Sequence, residues 1–236
     1  MQNTLTIAGR QFRSYFNGPV AYIVICIVLL LVGVFFWSPF FLMGRTTVRE
    51  MFRLLSMTLA FAAPAITMGL IAEERRSGTL ELLITMPLRE SEVIVGKFLG
   101  AAGLLGVLLL CSIPYPMSVS TLGNLDWGPV LSGYVGLYLQ GSAMIAIGLA
   151  ASSFTENQLV AFFSSFFLCA IFVALGWLLP LLPPALVNVV QFISFDSHFE
   201  SLGRGVIDTR DLFYFLSIAG FSLLLAFRAL ESRRWS

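Results

Sequence analysis

Long, uninterrupted apolar runs limit the fold of this chain more than any other feature of its sequence. The stretch "YIVICIVLLLVGVFFW", residues 22–37, has no charged residue and no alternation of polar with apolar side chains. A transmembrane β-strand alternates over about 10 residues, whereas a membrane-spanning helix needs about 20 mostly apolar residues. Since 58% of the 236 residues are hydrophobic and 11% are charged, the runs predict an all-α polytopic membrane protein.

Six runs have the length of a spanning helix. We expect the spans at residues 20–43, 54–72, 93–118, 130–151, 159–179 and 212–227. No loop between them is long enough for a separate domain, so residues 1–236 are expected to form one membrane domain. Before the first span, apolar residues of segment 1–18 recur at helical spacing. This pattern favours an amphipathic helix in the membrane interface, with an ordinary basic flank as the alternative.

The distribution of positive charge predicts the orientation of the six spans. With both termini in the cytoplasm, nine of the 14 Lys and Arg residues lie inside and five lie outside. Cytoplasmic loops of membrane proteins carry an excess of these residues, so both termini are expected to be cytoplasmic. The inside set is Arg10, Arg13, Arg75, Arg76, Arg89, Lys97, Arg228, Arg233 and Arg234, and the outside set is Arg45, Arg49, Arg53, Arg204 and Arg210.

The apolar runs offer little for chemistry within the membrane. Catalysis there needs a nucleophile with a base, or metal ligands, at membrane depth. The one histidine, His198, falls in the last outer loop, and no acidic residue or arginine falls in the middle of a span. No phosphate-binding "GxxxxGK[ST]" segment occurs either, so ATP chemistry would have to come from another chain. We therefore expect no catalytic, metal or cofactor site, and a net charge of +1 gives no reason to expect nucleic acid.

Small residues mark one face of the third span. Gly96, Gly100 and Gly103 recur at i, i+4 and i+7. Residues at this spacing share a helix face, and glycines there let another helix approach closely. The three glycines therefore predict a helix-packing site, and packing within the chain is favoured over a seam between two chains.

Charge is concentrated between the second and third spans, in the segment 73–92. Gly78 permits a turn after "EERR", and "TLELLITMP" follows with Leu80, Leu83 and Ile84 on one helical face. Pro87 ends this pattern because proline cannot continue a helix. The segment predicts a short helix on the cytoplasmic membrane surface, suited to docking a cytoplasmic partner.

Two segments resemble a known family. The segment "EERRSGTLELLITMP", followed by "GKFLGA", resembles the signature of permease subunits of the ABC-2 transporter family. Nearer the C-terminus, "FISFDSHFESLGRGVIDTRDLFYFLS" resembles a narrower branch, which contains gliding-motility permeases and permeases of nitrous-oxide-reductase maturation. The resemblance extends over essentially the whole chain.

The resemblance implies a half-transporter whose coupling helix, at residues 73–92, inserts into a separate ATPase subunit. Two permease chains, identical or merely similar, would sit on a cytoplasmic ATPase dimer that holds the ATP and Mg, in a bacterial inner membrane. The chain itself would then be no enzyme but would turn ATP hydrolysis into export or conformational work. Carried over to this sequence, the docking set is Glu73, Glu74, Arg75, Arg76, Gly78, Thr79, Leu80, Glu81, Leu83 and Pro87.

The sequence does not identify a transported substrate, and it does not show whether a substrate is transported at all. A membrane scaffold or force transmitter of a motility or periplasmic maturation complex, which uses the same ATPase but moves no solute, is the main alternative. An intramembrane enzyme is a third and much weaker one. Gliding-type members are also associated with a membrane protein that has a large periplasmic domain, which would be a further partner.

The last outer loop, residues 191–211, holds most of the remaining charge. One interpretation is a metal or substrate site built from Asp196, His198 and Glu200, which share a side only in an extended strand. The favoured one is an interfacial segment with internal ion pairs and contacts to a partner. Phe192, Phe195 and Phe199 would then anchor it in the membrane interface. The expected contacts are His198, Glu200, Arg204, Asp208 and Arg210.

Overall fold

The computed structural model describes residues 2–43, 48–79, 90–122, 125–206 and 208–232, and every regular element in these ranges is helical. The helices are α1 (Gln2–Asn17), α2 (Val20–Met43), α3 (Val48–Thr67), α4 (Ala72–Arg76), α5 (Glu90–Ser112), α6 (Pro114–Leu122), α7 (Trp127–Phe154), α8 (Gln158–Leu178), α9 (Pro184–Ile193), α10 (Phe195–Gly203) and α11 (Thr209–Glu231). A short 3₁₀ turn, Leu179–Leu181, joins α8 to α9.

Six helical stretches of the described chain are long and apolar enough to cross a membrane. They are Val20–Ser38, Val48–Arg76, Glu90–Thr121, Trp127–Phe154, Gln158–Leu178 and Thr209–Glu231. Their number and order match the spans predicted from the apolar runs, and the prediction of an all-α polytopic membrane protein is confirmed. The second stretch begins earlier than predicted because "VREMFR" continues the helix with charged residues on its exposed side.

Helix α7 lies at the centre of the bundle. It packs against α3, α5, α8, α10 and α11. Its glycines allow this close packing. A Cβ on Gly133 would lie 2.5 Å from Phe52 of α3, and one on Gly141 would lie 2.7 Å from Leu105 of α5. Helix α7 is therefore in direct contact with most of the other spans.

Helix α1 lies along α5, on the face that carries the three glycines. A Cβ on Gly96 would lie 2.7 Å from Ile7, and one on Gly100 would lie 2.8 Å from Gln11. One on Gly103 would meet the Phe12 ring at 3.1 Å. The helix that approaches the glycine face is thus the amphipathic N-terminal helix of the same chain.

The two ends of the bundle differ. We call the end with α4 and the 155–157 connection the α4 end, and the opposite one, with α9 and α10, the α10 end. Helix α10 packs into the bundle against α7 and α8. Phe195 and Phe199 are buried there, and only Phe192 is largely exposed. The expectation that all three anchor the segment in the membrane interface is therefore wrong for Phe195 and Phe199, because α10 turns them into the core.

Candidate functional site

The second span is broken at the α4 end. Helix α3 contains Pro64 and ends at Thr67, a turn covers residues 68–71, and α4 starts at Ala72. A helix end leaves carbonyl and N–H groups without partners inside the helix. We call residues 66–79 the junction, and its buried peptide groups need partners from elsewhere in the bundle.

Three side chains from three other helices supply hydrogen bonds to the carbonyl groups of the junction. The Tyr15 hydroxyl of α1 donates to the Ile66 carbonyl at 3.0 Å. The Ser152 hydroxyl of α7 donates to the Met68 carbonyl at 3.1 Å. The Lys97 ammonium of α5 donates to the Leu70 carbonyl at 2.6 Å. The break is therefore held by α1, α5 and α7 together.

Ser152 also serves the start of α4. Its hydroxyl oxygen accepts hydrogen bonds from the N–H groups of Ile71, at 3.2 Å, and Ala72, at 3.1 Å. One hydroxyl thus bridges the first carbonyl after α3, that of Met68, and the amides at the start of α4. Because Ser152 is fully buried, losing these bonds would leave several buried peptide groups unsatisfied.

A buried ion pair connects α4 to α5. Lys97 has a side-chain exposure of 2%, and its ammonium lies 2.7 Å from Glu74 Oε1. An unpaired charge at such a position costs several kcal/mol, so the pair and the bond to the Leu70 carbonyl make the burial of Lys97 possible. Removing either partner would leave the other charge without its ion-pair partner, which is strongly destabilising at a buried position.

A second ion pair connects α4 to the connection between α7 and α8. Arg75 Nε lies 2.9 Å from Glu156 Oε1, and the Arg75 side chain is almost fully buried while that of Glu156 is exposed. Helix α4 is therefore tied on one side to α5 and on the other to the 155–157 connection.

The remaining side of the junction faces outward. The exposed residues are Glu73, Arg76, Ser77, Gly78 and Thr79. Gly78 has a φ of +72°, which a side chain disfavours, and it ends the helix with a turn. The Ser77 and Thr79 hydroxyls donate to the Glu74 carbonyl at 3.2 and 3.1 Å and complete this cap.

The docking set that the resemblance implies is thus divided. Glu74 and Arg75 are engaged inside the protein, and Glu73, Arg76, Gly78 and Thr79 lie at the surface. The other four members, Leu80, Glu81, Leu83 and Pro87, lie outside the described residues.

Several charged residues at the α10 end have partners within the chain. Glu200 lies 2.9 Å from both Arg49 and Arg204. Asp208 accepts a hydrogen bond from the Arg210 N–H at 2.9 Å and caps α11. His198 Nδ1 lies 2.7 Å from Asp211 Oδ1. His198, Glu200 and Arg204 thus have side-chain partners within the chain and Asp208 caps α11, whereas the Arg210 side chain is exposed. Contact of these five residues with a partner stays a proposal.

The metal interpretation of the last loop does not fit this geometry. Because α10 is a helix, Asp196 and Glu200 line one cavity and His198 lines another. No group of three or more potential ligands is arranged around a common point in the described part of the chain. Burial raises the pKa of the Asp196 carboxyl above its ordinary value, Arg53 opposes this, and Glu200 adds to it.

Sequence reasoning missed the residues that hold the junction together. In the sequence pattern, Tyr15 occupies an apolar position of α1, and Ser152 is an ordinary small residue of an apolar span. Lys97 counts among the positive charges of the cytoplasmic side and belongs to the "GKFLGA" segment, but neither feature predicts its partners. One signal was available, since Lys97 is a charged residue inside the predicted span 93–118, and such a residue usually has an acidic partner nearby.

The fold and the junction together define a class of protein: a helical membrane protein of six spans with a broken second span. A family model described as "ABC-2 family transporter protein" matches residues 39–230. The chain therefore belongs to the ABC-2 transporter family, that is, to the membrane permeases of ABC transporters. A search of curated proteins gave no match.

Proposed function

We propose that this permease receives work from a separate cytoplasmic ABC ATPase at the exposed side of the junction. The observation that carries the proposal is that Tyr15, Lys97 and Ser152, from three different helices, hold the carbonyl groups of one helix break. A force applied to α4 cannot be absorbed locally, because α4 is bonded to α5, to α7 and to the 155–157 connection. The junction would pass that force to most of the bundle.

Exposure separates the docking residues from the transmitting residues in this mechanism. Glu73, Arg76 and Thr79 face outward and would contact the ATPase. Glu74 and Arg75 would transmit, because their partners Lys97 and Glu156 lie on other elements. Closure of the ATPase dimer would displace α4, and packed helices respond to such a displacement by rocking as rigid bodies between two states.

The assembly that we propose contains two permease chains, identical or similar, above two ATPase subunits in a bacterial inner membrane, with both permease termini in the cytoplasm. ATP and Mg would be bound by the ATPase, and this chain would contribute no catalytic side chain. The segment 192–217, with its "SHFESLGRGVIDTRD" sequence, supports the narrower proposal of a gliding-motility or nitrous-oxide-reductase-maturation permease. It also supports a membrane partner with a large periplasmic domain.

Site-specific crosslinking tests the docking side. A photo-crosslinking amino acid at position 76 should capture an ABC ATPase in native membranes, identified by mass spectrometry of the crosslinked band. The matched control is position 228, because Arg228 is an exposed arginine near the end of α11, at the same end of the bundle. Equal capture at the two positions, or capture at 228 alone, would show that the ATPase docks elsewhere.

Charge reversal gives a functional measurement of the same site. Arg76→Glu should lower the ATP hydrolysis that co-purifies with the permease, whereas Arg228→Glu should leave it unchanged. Undiminished hydrolysis in the Arg76→Glu complex would contradict the proposal.

A further inference from the structure

A long groove runs between α8 and α11, with α7 as its floor. Both helices pack on α7. At the α10 end the groove widens into an open cavity of about 890 Å³, and towards the α4 end it continues as a cavity of about 560 Å³. Phe172, Ser217 and Ile218 line both cavities. We call this continuous feature the lateral groove.

The lateral groove is polar at one end and apolar along its length. His198, Asp208, Arg210 and Asp211 line its α10 end. Beyond Ser217 the lining is nearly all apolar, with residues such as Leu168, Phe221 and Leu225. From Arg210 to Leu225 a helix rises about 22 Å, at about 1.5 Å per residue. This exceeds the roughly 15 Å of one half of a bilayer's hydrocarbon core, so one leaflet's acyl chain fits along the groove.

The hydrogen bonds of His198 fix its position at the polar end of the groove. Its Nδ1 faces Asp211 Oδ1 at 2.7 Å, and its Nε2 faces the Phe192 carbonyl at 3.0 Å. The Phe192 carbonyl can only accept, so Nε2 donates to it, while Nδ1 shares a hydrogen bond with the Asp211 carboxyl. The ring also stacks on Tyr214, at 3.9 Å between centroids, which fixes its orientation. Arg210, Asp208 and Asp211 line this end as well, so it combines basic and acidic side chains.

Asp211 is the residue that points to a ligand. It is 6% exposed, it lines the cavity, and its second oxygen, Oδ2, has no hydrogen-bond partner among the described residues. A buried carboxylate oxygen without a partner is costly, and a donor that enters the groove removes this cost. Arg210 lies exposed at the mouth of the same cavity and offers a guanidinium, which suits a phosphate.

We propose that the lateral groove binds an aminophospholipid from the leaflet at the α10 end. The primary ammonium of its headgroup donates to Asp211 Oδ2, its phosphate pairs with Arg210, and one acyl chain lies along α7 between α8 and α11. A zwitterionic headgroup matches a polar end that carries both signs of charge. The proposal does not depend on the identity of the ATPase or of any transported solute.

Native mass spectrometry of the full chain, extracted from vesicles with equal amounts of phosphatidylethanolamine and phosphatidylcholine, tests the headgroup assignment. Phosphatidylcholine has no N–H donor, so the wild type should retain phosphatidylethanolamine in about fivefold excess, the ratio for one hydrogen bond of about 1 kcal/mol. Asp211→Asn should bring the ratio to about one. Glu200→Gln, a carboxylate change on α10 in the neighbouring cavity, should leave the wild-type ratio unchanged.

A second variant tests the groove without touching its polar end. Ser217→Trp fills the point where the two cavities meet, and Ser217 is exposed, so the helix tolerates the larger side chain. Retention of phosphatidylethanolamine should fall severalfold. The matched control is Gly220→Trp on the same helix, because a Cβ there meets nothing within 4 Å and Gly220 lines neither cavity.

Three results would overturn the proposal. One is a wild type without headgroup preference, which would leave only ordinary boundary lipid. Another is full retention in both Asp211→Asn and Ser217→Trp. The third is a Ser217→Trp variant that changes the ratio of monomer to dimer while retaining lipid, which would identify a second copy of the chain as the occupant of the groove.

Discussion

Lys97 and Glu74 form a buried ion pair, at 2.7 Å, that joins the start of α5 to the short helix α4. The same ammonium donates to the Leu70 carbonyl at 2.6 Å. One side chain thus contacts both the turn of the broken span and the helix that follows it. This side chain therefore links spans two and three at the break, and it gives the first prediction.

Lys97→Met should lower the free energy of unfolding by about 3 kcal/mol, since it leaves Glu74 and the Leu70 carbonyl without their partner. The double variant Lys97→Met with Glu74→Gln should recover part of the loss, because no unpaired charge remains. Denaturation midpoints in detergent micelles measure both effects. Strict additivity of the two single changes would show that the pair contributes nothing as a pair.

Tyr15→Phe tests the contact between α1 and the junction. Burial raises the pKa of the Tyr15 hydroxyl above its ordinary value, so Tyr15 stays a neutral donor to the Ile66 carbonyl at neutral pH. Removing this hydroxyl leaves a buried carbonyl unsatisfied and should cost about 1 kcal/mol of stability. Tyr22→Phe is the control because Tyr22 is 57% exposed. Equal losses in the two variants would contradict the role assigned to Tyr15.

The six spans follow from the sequence because each apolar run has the length that a bilayer requires. The junction could not be predicted in this way. Tyr15 and Ile66 are 51 residues apart, and hydropathy gives the spans without saying which helices are neighbours. Ser152 looks in the sequence like a small residue that packs against a neighbouring helix. Its hydroxyl has three backbone partners only because the helix break lies beside it.

The α10 segment shows a second limit of prediction from sequence, which concerns the environment of a helix face. Phe195 and Phe199 are four residues apart, which places them on one face of a helix but does not say whether that face meets lipid or protein. The structure turns this face towards α7 and α8. The glycines of α5 were easier to interpret, because a row of glycines implies a close neighbour. Even so, their spacing did not indicate that the neighbour is α1.

Gly100→Ala should destabilise the protein although alanine is the better helix former. The intrinsic preference for alanine is worth about 1 kcal/mol. A Cβ at position 100 would lie 2.8 Å from Gln11 and 3.0 Å from the Ala8 carbonyl, so α1 must move away. Overpacking of this kind costs about 1–3 kcal/mol, and a net loss of up to about 2 kcal/mol is expected.

Gly220→Ala provides the matched control for this prediction, because a Cβ at Gly220 meets nothing within 4 Å. It should be neutral or slightly stabilising. Thermal unfolding compares the two variants, and protease accessibility of α1 checks the mechanism, since Gly100→Ala should expose residues 2–17 to cleavage. Unchanged accessibility with lower stability would place the strain elsewhere.

The last prediction concerns pH and the Asp196 carboxyl, whose pKa is raised mainly by burial. A raised pKa means that the folded protein holds this proton more tightly than the unfolded chain does, whose Asp groups titrate near about 3.9. Wild-type stability from this group is therefore fully present below that value and is lost as pH rises through the folded pKa.

Asp196→Asn cannot ionise and avoids the loss. The melting temperature of Asp196→Asn minus that of the wild type should increase from about pH 4 to neutral pH, while a difference that is constant with pH would contradict the prediction. Glu231→Gln, at the α4 end, controls for the loss of one carboxylate.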